Sequence, residues 1–364
     1  MEELNIPTRC YDLTAMDEAS RHKVYEEAGA VIRAGGTVVF PTETVYGLGA
    51  NAMDPLAVQG IYRAKGRPSD NPLIIHVADR DLSGIVSEIP PTAVRLMDRY
   101  WPGPLTIIMK KDPGVPAQTT GGLDTVGVRM PDQPAALALI KAAGCGIAAP
   151  SANISGRPSP TTFRRCQEDL MGRVDLILGM DQSRVGLEST IIDLSGTVPE
   201  LLRPGAITLE ELRAVLGEVV YVPSATLQGD ESPRAPGMKY RHYAPRAKVT
   251  LLRGTRQAVQ LYLQTRKDEQ TLAVLIDADG LDQNPTTSSS GTVFGPDAAD
   301  SDPSVVRFGS VTEAAREIFE TLRWADDQGY TGIWVEAVAE TGLGLSLMNR
   351  LKKAAAYDVV EVKE

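Results

Sequence analysis

Cysteine is scarce in this sequence of 364 residues, which contains Cys10, Cys145 and Cys166. The three cysteines form no C-x-x-C pair and their number is odd, so the pattern disfavours a disulfide framework and a zinc knuckle. Histidine is equally rare, and the three histidines show no metal-ligand spacing such as H-E-x-x-H. These absences argue against a protein-ligated transition metal and favour a reducing, cytoplasmic compartment.

The usual nucleotide-binding and nucleophile motifs are also missing. No Gly-Lys dipeptide occurs, which excludes a G-x-x-x-x-G-K-[ST] phosphate loop. Gly342-Leu343-Gly344 lacks the third glycine of a dinucleotide fingerprint and is interpreted as a turn before the last helix. No nucleophile elbow, Cys-His signature or paired-carboxylate motif is visible. The pattern therefore favours a reaction in which a substrate is the nucleophile and the protein positions charges.

Positive charge and long apolar runs are in short supply. The formal net charge is -10, which argues against a surface that clamps nucleic acid throughout, although a local basic cleft stays possible. No apolar run approaches the length of a membrane span, and the acidic N-terminal segment lacks the apolar core of a signal peptide. Hydrophobic residues make up 43% of the chain, which is enough to bury a core.

Helix and strand patterns alternate along the chain. Helix starts are predicted from a T-x-x-D cap at Thr14, from Asp54-Pro55, and from a capping box formed by Thr208 and Glu211. Residues 41–52 are interpreted as an ordinary strand-to-loop junction, or as a site segment in which Gly47 and Gly49 let the backbone approach another group closely. The alternation predicts an α/β (α+β) fold with three parts: a first domain over 1–222, a Pro/Gly/Ser-rich linker over 223–246, and a small doubly wound, Rossmann-like domain over 247–364.

Three basic residues in the first domain, Lys65, Arg67 and Arg129, each have two possible explanations. Lys65 and Arg67 straddle Gly66 at a predicted helix end, where they either converge on a polyphosphate or form a solvated basic helix terminus. Arg129 lies in the strand-like run VGVRM and needs an anionic partner, either a structural or a substrate carboxylate. His76 lies in an apolar strand, where a hydrogen-bonded core histidine is more common than a catalyst.

A dense group of hydroxyl and amide side chains occupies residues 149–162, after the apolar stretch GIAAP. Such groups suit phosphate oxygens and sugar hydroxyls. A polar turn built for capping is the alternative explanation. The segment 187–194 adds further hydroxyls at the end of another predicted strand.

Six motifs in one order resemble the YrdC-like domain and linker of the two-domain threonylcarbamoyl-AMP synthases. The motifs are FPTETVYGLGANA (40–52), Lys65-Gly66-Arg67 with DNPLIIH (70–76), PSANISG (150–156), ESTIID (188–193), LRPGAI (202–207) and PGMKYRHYAP (236–245). The resemblance implies a twisted mixed sheet with an open cleft. It also implies a nucleotidyltransferase that converts L-threonine, bicarbonate or CO2, and ATP to threonylcarbamoyl-adenylate, pyrophosphate and water.

The resemblance also implies roles for individual residues. Lys65 and Arg67 would be catalytic, and magnesium would enter with the ATP phosphates rather than on a protein site. The residues expected to bind ATP are Lys65, Arg67, Asn71, Thr125, Asn153, Thr161, Arg203, Tyr240, His242 and Tyr243. The residues expected to bind threonine are Thr44, His76, Arg129, Ser151 and Ser189.

Partners and a rival function follow from the same resemblance. The expected partner is an enzyme that transfers the threonylcarbamoyl group to tRNA, with tRNA contact possible and no membrane association. The linker, through Tyr240, His242 and Tyr243, would close over the site and exclude water. The alternative function is a non-catalytic module that binds double-stranded RNA or tRNA.

Overall fold

The computed structural model describes residues 4–223, 233–238, 242–266, 268–277 and 304–363. The chain forms two compact units. The first unit comprises residues 1–155 and 159–240, and the second comprises residues 156–158 and 241–364. In the described part of the chain, no helix is long and apolar enough to cross a membrane.

The first unit mixes helices and strands. Its strands are β1 (Arg9–Asp12), β2 (Val38–Phe40), β3 (Gly47–Asn51), β4 (Ile74–His76), β5 (Leu105–Lys110), β6 (Thr125–Arg129), β7 (Ile147–Ala149), β8 (Leu176–Gly179), β9 (Thr190–Asp193), β10 (Glu200–Arg203) and β11 (Val220–Tyr221). Its helices are α1 (Glu18–Arg33), α2 (Pro55–Lys65), α3 (Pro91–Tyr100), α4 (Ala117–Thr120), α5 (Pro134–Ala143), α6 (Phe163–Leu170) and α7 (Leu209–Leu216).

The strands of the first unit form one mixed sheet in the order β1-β8-β2-β3-β7-β4-β6-β5-β9-β10-β11. Because side chains alternate along a strand, Ile75, Ile107 and Ile192 point to one face and Ile74 and Ile108 to the other. The first face packs on the main apolar core with α2 and α3. The second face is covered by α1 and α5 over β2, β7 and β8 only, which leaves the part formed by β4, β5, β6 and β9 as the floor of a cleft.

Local capping explains where the helices begin. The side chain of Asp54 accepts from the backbone N–H groups of Leu56 and Ala57, and the capping box of Thr208 and Glu211 is complete, so both predicted starts are confirmed. The predicted cap at Thr14 is wrong, because Asp17 caps α1. The Thr14 hydroxyl donates instead to Asp12.

Strand β3 lies inside the segment that the sequence predicted as a strand-to-loop junction. Its glycines do let the backbone approach a neighbour, but the neighbours are core side chains. A Cβ at Gly49 would lie 2.5 Å from Cγ2 of Ile147 and 2.8 Å from the Phe40 ring. Gly47 and Gly49 therefore make room for packing between β2, β3 and β7.

The second unit is an α/β domain, which agrees with the predicted alternation of helices and strands. Its described strands are parallel, in the order β14-β13-β15-β12-β16. The strands are β12 (Lys248–Arg253), β13 (Thr271–Ile276), β14 (Val305–Phe308), β15 (Gly332–Glu336) and β16 (Val359–Glu361). The helices are α8 (Arg256–Arg266), α9 (Val311–Gln328) and α10 (Gly342–Ala354), so the predicted turn at Gly342 is the first turn of α10.

Candidate active site

The candidate site lies on the second face of the first unit's sheet, where the cover by α1 and α5 ends. His76 on β4 pairs in register with Arg129 on β6, and both side chains point to this face beside the cleft floor. A small pocket on the same face lies along β4, β5 and β6. Its lining includes Thr106, Thr125 and Gly127. The sheet thus brings one predicted ATP residue, Thr125, to the same face as two predicted threonine residues.

In this structure Arg129 is paired with a carboxylate of the protein itself, one of the two kinds of partner that the sequence left open. Its Nη2 lies 2.7 Å from Oε2 of Glu43, and its Nε donates to the carbonyl oxygen of Gly103 at 3.2 Å. Arg129 is 4% exposed and Glu43 is 1% exposed. The ion pair does not reach hydrogen-bond geometry, so Nη2 and both Glu43 oxygens lack a hydrogen bond.

The loop that carries Glu43 is held by its backbone. Val185 N–H donates to the carbonyl oxygen of Glu43, and Gly186 N–H donates to that of Thr44. The Thr44 hydroxyl lies 2.9 Å from the Thr42 hydroxyl, and both threonines are buried. These contacts fix the backbone at Glu43 and leave its carboxylate to the ion pair with Arg129.

His76 is buried and neutral. Its Nδ1 lies 3.2 Å from the carbonyl oxygen of Ile74, and its ring meets the ring of Phe40 edge-on, with centroids 5.8 Å apart. Burial, and secondly the positive charge of Arg129, lower the pKa of His76 to about 3. The neutral imidazole is a hydrogen-bonding group in the core, which is the common explanation for a histidine in an apolar strand.

Lys65 is not the solvated helix terminus that the sequence allowed as an alternative, because it is 1% exposed. Its Nζ donates to the carbonyl oxygens of Ser151 and Asn153. The Ser155 N–H in turn donates to the Lys65 carbonyl oxygen at 2.9 Å. The left-handed Gly66, with φ 61°, ends the helix at this point. The end of α2 and the 151–155 loop therefore form one hydrogen-bonded structure.

The polar groups around this loop are only partly satisfied. Ser151 Oγ donates to Oδ1 of Asn153 at 2.6 Å. The Arg67 guanidinium reaches the carbonyl oxygens of Asn71 and Pro72 at 3.4 and 3.1 Å. Oδ1 of Asn71 and Oγ1 of Thr161 are buried and make no hydrogen bond within the described residues. Predicted ATP-binding residues thus hold buried polar atoms whose bonding capacity is unmet, which is unusual in a native interior.

Arg203 and Ser189 form a second cluster on the same face. Arg203 Nε donates to the Ser189 carbonyl oxygen, and Nη2 donates to Ser189 Oγ, both at 3.0 Å. Ser189 Oγ also lies 2.8 Å from the hydroxyl of Thr106. A residue predicted for ATP and one predicted for threonine are therefore in direct contact.

Residues 233–238, from the predicted linker, pack on the cleft face of the first unit. Ala235 and Met238 join the apolar cluster around Ile74, Ile108 and Ile191. Arg234 Nη2 lies 2.5 Å from carboxylate oxygens of both Asp193 and Glu200, and Arg203 Nη1 donates to the Pro236 carbonyl oxygen at 3.3 Å. This part of the linker is thus anchored beside Arg203.

The linker residues predicted to bind ATP are Tyr240, His242 and Tyr243. Tyr240 lies outside the described residues. His242 and Tyr243 belong to the second unit, where the Tyr243 ring stacks on Phe319 with centroids 5.1 Å apart and the Arg350 guanidinium lies over it.

Sequence reasoning gave no role to three residues that the structure places at the site. Glu43 appeared only as the acid between two threonines, and Thr106 was hidden in the apolar run LTIIMK. Glu188 accepts from Ser159 Oγ at 2.5 Å. No signal in the sequence identified Glu43, because its burial is established only by the fold.

No disulfide bond joins the three cysteines, all of which lie in the described part of the chain. Among the described residues, no group of three or more His, Cys, Asp or Glu side chains is arranged to hold a metal ion.

Comparison with known proteins first defines the class. A family model described as telomere recombination, which covers the Sua5, YciO and YrdC proteins, matches residues 30–205. The solved structure of Sua5 from P. abyssi, titled as a complex with L-threonine, has a TM-score of 0.84 and 42% sequence identity. It covers 98% of this chain and 99% of its own. The first unit therefore has the YrdC-like fold that the sequence predicted.

The family follows from full-length relatives. A second model, described as the threonylcarbamoyl-AMP synthase C-terminal domain, matches residues 207–356. Threonylcarbamoyl-AMP synthases from Pyrococcus abyssi and Bacillus subtilis are 46% and 42% identical, and each alignment covers 92% of this chain. The alignments cover 95% and 93% of those relatives. The chain belongs to the threonylcarbamoyl-AMP synthase family.

Proposed function

We propose that this protein is an enzyme that makes threonylcarbamoyl-adenylate from L-threonine, bicarbonate or CO2, and ATP, with release of pyrophosphate and water. The observation that carries the proposal is the full-length similarity to synthases of this name. The relative crystallised with L-threonine spans both units at a TM-score of 0.84. The proposed reaction class is nucleotidyl transfer.

The threonine half of the site is proposed around Arg129. A carboxylate from the amino acid would give the buried guanidinium hydrogen bonds that it lacks. Thr44, Ser151 and Ser189 would supply hydroxyl contacts, and His76 would do so as a neutral imidazole. The closeness of His76 and Arg129 on adjacent strands supports this grouping.

The ATP half is proposed around Lys65, Arg67 and Arg203. Charge develops on phosphate oxygens when the carbamate oxygen attacks the α-phosphorus and pyrophosphate leaves, and fixed cations stabilise that charge. Asn71 and Thr161 have buried oxygen atoms with unmet bonding capacity, which supports contact with a polar ligand. Thr125 lines the cleft, and Asn153 lies beside Lys65. Magnesium would enter on the ATP phosphates and offset their charge.

The linker is proposed to be a lid, within a three-part organisation of residues 1–222, 223–246 and 247–364. The anchored segment 233–238 on the cleft face supports this role. Tyr240, His242 and Tyr243 would complete the cover and the ATP contacts. A closed cover matters because water hydrolyses both a carbamate and a mixed anhydride.

The product is an activated acyl group, so a second enzyme is proposed to transfer it to an adenosine of tRNA. That role would place the protein in the cytoplasm, where ATP and tRNA are available. The non-catalytic RNA-binding alternative predicts RNA affinity that weakens with salt and no ATP consumption.

The test is pyrophosphate release by the purified protein with ATP and magnesium, with threonine or bicarbonate omitted in turn. We expect release that requires both, together with a product of the mass of threonylcarbamoyl-adenylate. Serine and 3-hydroxybutanoate serve as matched controls for the methyl and amino groups of threonine. Pyrophosphate release without threonine, or no release in a protein that retains RNA, would contradict the proposal.

A further inference from the structure

Glu43 differs from the other buried carboxylates of the first unit. Asp169 accepts from the Ile154 N–H, Glu188 accepts from Ser159 Oγ, and Asp193 accepts from Ser195 and Arg234. Neither oxygen of Glu43 accepts a hydrogen bond, although the residue is 1% exposed. A buried carboxylate without hydrogen bonds is costly in an interior, so its retention requires an explanation.

The ion pair with Arg129 does not use up the bonding capacity of either group. Arg129 Nε donates to the Gly103 carbonyl oxygen, and Arg129 Nη2 lies 2.7 Å from Glu43 Oε2. Both Glu43 oxygens and Arg129 Nη2 remain without hydrogen bonds. The pair therefore holds one charge of each sign in fixed, buried positions on the cleft face.

An α-amino acid has the complementary charges. Its carboxylate and ammonium groups are joined through one carbon atom, so they meet a neighbouring guanidinium and carboxylate at the same time. The other charged groups proposed for the site are cations that suit phosphates, namely Lys65, Arg67 and Arg203. An ammonium group placed among them needs an anion, because charges removed from water must be paired.

We propose that Glu43 binds the α-ammonium group of the amino-acid substrate, while Arg129 binds its carboxylate. This proposal rests on the proposed function and deepens it by naming the residue that selects threonine over an analogue that lacks the amino group. The Thr42 and Thr44 hydroxyls bond to each other and the loop backbone bonds to residues 185 and 186. Apart from its ion pair with Arg129, the Glu43 carboxylate accepts no hydrogen bond from the described residues.

The test compares ligands that each lack one charge. L-Threonine, 3-hydroxybutanoate (no amino group) and L-threoninol (no carboxylate) are titrated by calorimetry into the wild-type protein and into Glu43→Gln. A charge-assisted hydrogen bond contributes about 1.5–3 kcal/mol, so we expect threonine affinity to fall about 10- to 100-fold in Glu43→Gln. The affinity for 3-hydroxybutanoate should change less than about 3-fold, because Arg129 is unchanged.

The opposite ligand pattern is expected for Arg129→Gln, which should lose threonine affinity and keep its affinity for threoninol. Glu336→Gln, a buried carboxylate of the second unit, is the control and should leave all ligand ratios unchanged. Equal losses for threonine and 3-hydroxybutanoate in Glu43→Gln would show that Glu43 only orients Arg129, and would overturn the proposal.

The wild-type protein alone also tests the proposal if Glu43→Gln fails to fold. We expect threonine to bind at least about 10-fold more tightly than 3-hydroxybutanoate, on the same energetic basis. Equal affinity of these two ligands would overturn the role of Glu43 while leaving the synthase reaction intact. A wild-type protein that neither binds threonine nor releases pyrophosphate would overturn the proposed function, and the role of Glu43 with it.

Discussion

Two buried glutamates, one in each unit, have opposite hydrogen bonding. Glu336 ends β15 in the second unit, accepts from Arg256 Nε at 2.6 Å, and accepts from the Ile276 N–H at 2.9 Å. Glu43 in the first unit has an ion pair with Arg129 and no hydrogen bond. Both are buried, so burial alone does not separate them. The satisfied acid holds strands together, whereas the unsatisfied acid has capacity for a ligand.

The same contrast extends to the cations of the first unit. Lys65 and Arg203 are bonded to backbone carbonyl oxygens of the loops that form the site. They therefore hold the site in shape before any substrate arrives. Arg129 Nη2 makes no hydrogen bond, so we expect its gain in free energy to come with the proposed ligand. Lys65 and Arg203 are proposed ligand contacts too, but protein acceptors already fix their positions.

Arg129→Lys changes the residue proposed to bind the substrate carboxylate, and of these variants it should have the largest effect on activity. A lysine provides one point charge, which cannot serve Gly103, Glu43 and a carboxylate together. We expect kcat/KM for threonine, measured by pyrophosphate release, to fall about 100-fold, since losing a buried charge contact costs at least about 2–3 kcal/mol. Arg164→Lys on the exposed face of α6 is the control. Unchanged kcat/KM in Arg129→Lys would remove Arg129 from the threonine site.

Stability measurements would sharpen the comparison between Glu43 and Glu336. Glu336→Leu leaves the Ile276 N–H without its acceptor, so the free energy of unfolding of the second unit should fall by about 1–3 kcal/mol. The double variant Glu43→Gln, Arg129→Gln removes both charges of a pair whose members do not hydrogen-bond to each other. It should leave the free energy of unfolding unchanged or raise it. Urea unfolding measures both. A larger loss of stability in the double variant than in Glu336→Leu would show that the Glu43–Arg129 pair, and not Glu336, is the stabilising contact.

Lys65→Met tests whether the hydrogen bonds of Lys65 hold the 151–155 loop in place. The variant keeps most of the buried stem but removes the donors to Ser151 and Asn153, so the loop should loosen. We expect KM for ATP to rise about 10-fold, with a smaller change in KM for threonine, because one charged hydrogen-bonding group contributes about 1.5 kcal/mol. Arg63→Met, exposed on the same helix, is the matched control. A parallel rise of both KM values would indicate a general loss of structure.

His76 should give the smallest effect, as a dependence of stability on pH. Burial and Arg129 lower its pKa to about 3, so between this value and about 6.5 the unfolded chain binds a proton that the folded chain does not. The free energy of unfolding therefore falls as pH decreases through this window. From pH 7 to pH 5.5, the wild type should lose about 1 kcal/mol more than His76→Gln. His22→Gln is the exposed control, and should behave as the wild type does.

Features that depend on a few neighbouring residues were predictable from the sequence. Asp54-Pro55 and the capping box at Thr208 start helices because cap and backbone N–H groups lie within one turn. Even within one turn, a neighbouring acceptor can bind the side chain that is predicted to cap a helix. Thr14 was predicted as a cap, but its hydroxyl bonds to Asp12, and Asp17 takes the cap position.

The candidate site was predictable as a set of segments, chiefly because six motifs resemble those of a known family. The contacts inside it were not. Lys65 reaches Ser151, and Glu43 reaches Arg129, each across 86 residues of sequence. No local period relates residues so far apart. Likewise, β3 was missed because its glycines suggest a loop, while the space they leave is filled by Phe40 and Ile147.

The sequence by itself determined the alternation of helices and strands, the parallel architecture of the second unit and the family. These depend on short-range patterns and on motifs preserved in order along the chain. Only the tertiary structure decided which buried charges satisfy each other and which do not. That outcome depends on distances and angles between side chains on different strands, which are set when the sheet aligns them. Glu43 shows the difference: its sequence position is unremarkable, and its buried, unsatisfied carboxylate exists only in the folded chain.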